Sequence, residues 1–170
     1  MSDYLPLCAV WQDRQATYTD DGLPVVWDRA VLPVPYIIQL DSGQAPYAHA
    51  IRDAARMWNR EIGFEVFREA ALPEDARVFI VSGSAGDGGL AVTTHSGDVV
   101  PESATVELRD IGNFSEAYYC SCHELGHVLG LAEGDSGCMG MMPGDFDASR
   151  MWCLPRDKEV MYLRAVYKRT

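Results

Sequence analysis

Residues 123–127 read HELGH, and these five constrain the chain more than any other stretch. His123 and His127 stand four apart, so on an α-helix both imidazoles project from one face and reach a single ion. The pair therefore requires a helix. SEAYYCSCHELGHVLG supplies one, with Ser115 as the expected N-cap and Gly130 as the expected stop, since glycine takes the left-handed conformation that ends helices. Val128, Leu129 and Leu131 give it a side for the core. Glu124 lies about 100° around the axis from His123, beside the ion and not on it.

Imidazole and carboxylate ligands at a four-coordinate site with one open position suit zinc, which lowers the pKa of bound water toward about 7. Glu124 is then a general base that takes the water's proton and returns it to a leaving amine. That is peptide hydrolysis without a covalent intermediate. A His-Glu-x-x-His run also occurs on ordinary polar helix faces, so the residues beyond it carry weight.

The run continues VLGLAEGDSGCMGMMP, and in this form it resembles the metzincin metallopeptidase pattern, in which a third ligand follows the glycine and a methionine-containing turn lies under the metal. The glycine falls at Gly130 and the third-ligand position at Glu133, with Asp135 the alternative. Within that clan the spacing is most similar to the matrixins, whose turn carries methionine and proline where this chain has Met141 and Pro143. Glu133 stands where matrixins have histidine, as an aspartate does in snapalysin-like enzymes. More diffusely, AHAIRDAARMWNREIGFEVFREA resembles the matrixin first helix and following strand, GGLAVTT the strand that pairs with substrate, and LPRDKEVMYLRAVY the closing helix. The cysteine-bearing propeptide motif of matrixins is missing.

The rest of the chain reads as continuous α+β. LPVPYIIQLD starts a strand near Val34, and Ala50, Ile51, Ala54, Ala55, Met57 and Trp58 recur at helical spacing up to Gly63. FEVFREA and ARVFIVSG are two strands with the turn signal LPED between them; LAVTT and ATVELRDI are two more. PRDKEVMYLRAVYKR is a closing helix with a Val160, Leu163, Val166 and Tyr167 face. A chain of 170 residues has room for one core, giving a single domain with an N-terminal segment over 1–33 and a catalytic core over 34–170.

The net charge of −11 repels nucleic acid and anionic lipid. The start lacks a basic n-region and any long apolar run, so neither export nor anchoring is expected and a cytoplasmic place, or one within an assembly, follows. Cys8, Cys120, Cys122, Cys138 and Cys153 form no disulfide framework; inert thiols are the plain reading, with a bridge from Cys138 to Cys122 or Cys153 open under oxidising conditions and Cys8 a weaker candidate to cap the zinc. His49 is expected to face solvent, and His95 to border the cleft, to ligate a structural ion or, as the plainer reading, to be an ordinary loop residue. GSAGDGG offers Asp87 and backbone carbonyls to a structural calcium ion, but one carboxylate is little charge and a plain loop is the stronger reading.

Together these readings predict a metzincin-like domain: a twisted mixed sheet, an upper helix, the active-site helix, a Met-turn supported by Met141 and Pro143, and a C-terminal helix. A monomeric zinc endopeptidase is expected, with one catalytic Zn²⁺ on His123, His127 and Glu133 and with Glu124 as base. Its protein or peptide substrate would add a strand to the edge at Gly89, Leu90 and Ala91. The rival is a catalytically silent, zinc-stabilised binding or structural protein, against which Glu124 argues, since a structural site needs no base.

Overall fold

The computed structural model describes residues 25–84, 91–97, 100–109, 111–134, 137–140 and 153–168. The elements run β1 (Val34–Gln39), α1 (Ala48–Ile62), β2 (Phe67–Glu69), β3 (Val78–Ser82), β4 (Ala91–Ser96), β5 (Ser103–Leu108), α2 (Phe114–Val128) and α3 (Asp157–Tyr167), with short 3₁₀ turns between some of them. The fold is α+β. Its sheet is mixed, in the order β2-β1-β3-β5-β4, with only β4 antiparallel to its neighbour.

Alternation along the strands explains which face is covered. Val34 and Tyr36 on β1, Val78 and Ile80 on β3, and Ala104, Val106 and Leu108 on β5 are all buried, and the intervening residues are half-exposed. The helices supply the opposing surface. Ala50, Ile51, Ala54, Ala55, Met57, Trp58 and Ile62 form the buried stripe of α1, and Gly63, in the left-handed region, accepts the chain as it leaves the helix. α1 packs on α2, and α2 packs on β4 and β5.

The two strands predicted on either side of LPED are not neighbours. Pro73–Asp75 does turn, but β1 lies between β2 and β3, parallel to both. The connection crosses the end of β1, where Tyr36 O accepts from Ala70 N at 2.7 Å and Pro35 O from Arg77 N at 2.8 Å. β4 and β5, the last two strands in sequence, pair antiparallel.

The core also reaches upstream of Val34: Val25, Trp27 and Leu32 are buried. The Trp27 indole N–H donates to Val128 O at 2.7 Å, and the Tyr167 hydroxyl donates to Leu129 O at 2.9 Å while accepting from Trp27 N at 3.3 Å. These bonds satisfy carbonyls at the end of α2 that no further helical turn can reach. No helix among the described residues is long and apolar enough to cross a membrane.

Candidate metal centre

α2 begins two residues earlier than the Ser115 cap predicted. Asn113 is extended, its side chain accepts from Glu116 N at 2.9 Å, and Glu116 returns the bond by accepting from Gly112 N at 2.8 Å. Ser115 lies inside the helix, where its hydroxyl cannot serve as that cap. At the other end Gly130 sits at φ 91°, a left-handed conformation that lets the chain turn back toward the histidines.

Three donor atoms meet where it turns. His123 Nε2 and His127 Nε2 are 3.0 Å apart, and Glu133 Oε1 lies 3.3 Å from the first and 3.0 Å from the second. Both Nδ1 atoms are already engaged: His123 Nδ1 donates to Cys138 O at 2.8 Å and His127 Nδ1 to Leu131 O at 2.8 Å. With Nδ1 donating to a carbonyl, each ring has its Nε2 left to turn toward a shared cation, beside the Glu133 carboxylate. Ligands about 2.0–2.1 Å from a tetrahedral zinc ion stand about 3.3 Å apart, close to the triangle observed. His123, His127 and Glu133 can hold a metal ion.

The loop bearing Glu133 is held by its neighbours. Gly134 N donates to Met139 O at 2.7 Å, and Gly134 pairs with Gly140 in an isolated bridge. Met139, fully buried, packs against the helix at Gly126, where an added Cβ would lie 2.2 Å from its Sδ. Among the described residues, Met139 is the methionine that packs against the histidine helix at Gly126. The Met141 and Pro143 of the expected turn lie outside the described residues, as do Asp135, Gly89, Leu90, Asp87 and Cys8. Of the expected edge residues Ala91 is described, at the start of β4.

Glu124 is buried, 5% exposed, on the side of α2 that meets β4. The Thr93 hydroxyl donates to its carboxylate at Oε2 and also lies 3.1 Å from its backbone carbonyl. His95 is in β4, not in a loop, and its Nε2 donates to Val128 O at 3.2 Å. Burial holds its pKa below the ordinary histidine value, so the ring is neutral and braces the helix end. His49 is exposed on α1, as expected.

The four described cysteines are buried and free. The Cys153 thiol hydrogen-bonds Cys122 and Cys138, and these contacts together with burial push its pKa far up; burial pushes Cys120 up to about 12. Cys120 and Cys153 are therefore held as protonated thiols. The Tyr119 and Tyr167 hydroxyls donate to Gly140 O and Leu129 O, both at 2.9 Å. Sequence reading missed Thr93, Trp27 and the Met139–Gly126 contact. Only the last left a signal, a glycine inside a helix.

No family model matches the chain, and no curated protein matches it in sequence.

Proposed function

We propose that the chain is a zinc-dependent endopeptidase of metzincin type. The observation that carries this reading is the convergence of His123 Nε2, His127 Nε2 and Glu133 Oε1 with both Nδ1 protons fixed on backbone carbonyls. Zinc, when bound, supplies Lewis acidity toward a water and a substrate carbonyl in its open position.

The residues of the chain do the rest. Cys138 O and Leu131 O set the tautomer and orientation of the two ligands, which raises their basicity and lowers the cost of ordering them. Glu124 accepts a proton from the attacking water and delivers it to the departing amine, so its carboxylate must stay ionised, oriented and shielded from bulk water. β4 is a sheet edge with a row of backbone donors and acceptors beside that carboxylate; an extended peptide lying along it gains main-chain hydrogen bonds and presents one carbonyl to the site. Affinity then depends weakly on sequence.

The test pairs elemental analysis of the purified protein with cleavage of a denatured protein mixture, with and without a chelator. About one zinc per chain and cleavage abolished by chelation are expected. Zinc without cleavage would leave the silent binding protein, and neither would overturn the proposal.

A further inference from the structure

The described residues give Glu124 one polar side-chain partner, and it comes from the edge strand. Thr93 Oγ1 carries a single proton and stands near both Glu124 oxygens, the carboxylate Oε2 and, at 3.1 Å, the backbone carbonyl. The carboxylate oxygen is the nearer of the two acceptors, so the hydroxyl donates to it. We propose that Thr93 is a positioning residue for the general base: it holds Oε2 and leaves Oε1 to exchange the proton. The proposal rests on the peptidase reading above.

The position suits the task on three grounds. Threonine is β-branched, with few χ1 states, so the hydroxyl is aimed by the strand backbone and loses little freedom in bonding. The strand is itself indexed to the helix. Thr93 and His95, two apart on one face of β4, bond Glu124 and Val128, four apart on one face of α2. Two strand residues advance about 6.8 Å and four helical residues about 6.0 Å, so the two anchors fit together. A slip of one residue would turn both anchors away and bring Val92 and Thr94 inward.

The third ground concerns the substrate. A peptide paired to β4 takes its position from the backbone of that strand, and the base takes its position from a side chain of the same strand. Carbonyl and base are then aligned by one strand and not by two independent elements. This is the kind of alignment on which rate depends steeply.

Thr93→Val, which keeps the shape and removes the donor, should lower kcat about tenfold or more, with KM and zinc content within about twofold of the parent. Thr93→Ser, which restores the hydroxyl, should recover most of the loss; Thr93→Ala replaces the valine variant should that one fail to fold. Urea unfolding of the full chain, as purified, provides a readout independent of turnover: a cycle of Thr93→Val and Glu124→Ala should show coupling of about tenfold in the unfolding equilibrium constant. Parent-like kcat in Thr93→Val, a serine variant as slow as the valine one, additivity in the cycle, or loss of zinc would each overturn the assignment. A parent without chelator-sensitive cleavage overturns the peptidase reading instead, before any variant is compared.

Discussion

The sheet has two edges, and they are finished differently. β2 is three residues long, carries exposed Arg68 and Glu69, and is tied to α1 by Arg52, whose Nε and Nη2 donate to Glu69 at 2.8 and 2.7 Å. Shortness and charge are the usual means of keeping an edge from pairing with another chain. β4 has neither. It runs six residues, Ala91–Ser96, with no Lys, Arg, Asp, Glu or Pro among them, and it lies against the helix that carries the histidines. Among the described residues, the edge with neither brevity nor charge lies against the helix whose His123 and His127, with Glu133, can hold a metal ion, and on the peptidase reading pairing with an extended chain has a use there.

The sharpest way to break this contrast is to remove a ligand. His123→Ala, His127→Ala or Glu133→Ala should cost more than about 100-fold in zinc affinity, since even partners of ligands are worth 10- to 100-fold, and should take activity to the chelated background. Asp135→Ala should keep its metal; the reverse pattern, read by isothermal titration, would transfer the third-ligand role to Asp135. Next in size is Glu124→Gln, for which kcat should fall on the order of 10²- to 10⁴-fold at unchanged zinc content. A variant that cleaves at the parental rate would remove Glu124 from the chemistry.

The edge itself is probed through the substrate. Peptides N-methylated at one alternating set of positions lose the donors that face β4 and should show KM raised about tenfold or more, whereas methylation of the other set should matter little. Equal effects would mean that binding does not use a strand edge. The smallest effect belongs to β2. The Arg52 hydrogen bond holds the Glu69 carboxyl below the ordinary glutamate value, so its stabilisation is present above the usual carboxylate range and fades as pH falls through the lowered pKa. Both side chains are about a third exposed (35% and 37%), so solvent screening limits the pair to less than about 1 kcal/mol. Glu69→Gln should therefore narrow the gap in urea midpoint between neutral and acidic pH slightly and leave cleavage untouched.

Much of this was legible in the sequence because it rests on local periodicity. The strands, the α1 stripe, the α3 face and the histidine spacing each follow from residues within a few positions of one another. Strand order was not, because β1 separates β2 from β3 through pairings that no turn signal encodes. Glu133 was reachable only by resemblance to a known spacing; its neighbours hold it by backbone bonds to which any residue type contributes equally. Thr93 was invisible for another reason. A threonine in a strand is what β-propensity alone would choose, and its bond to Glu124 spans 31 positions.

The end of α2 has a further consequence. Trp27 and Tyr167, 140 positions apart, meet there with His95 over the carbonyls of Val128 and Leu129. Contacts of such separation form late, because loop closure is costly until the intervening chain is ordered. The histidine helix thus acquires its final rigidity only when distant parts of the chain have arrived, and tight loading of an ion would report complete folding instead of guiding it. A proteolytic nick anywhere between these residues would loosen the same turn, so competence to bind the ion should vanish cooperatively with the native state and not survive in fragments.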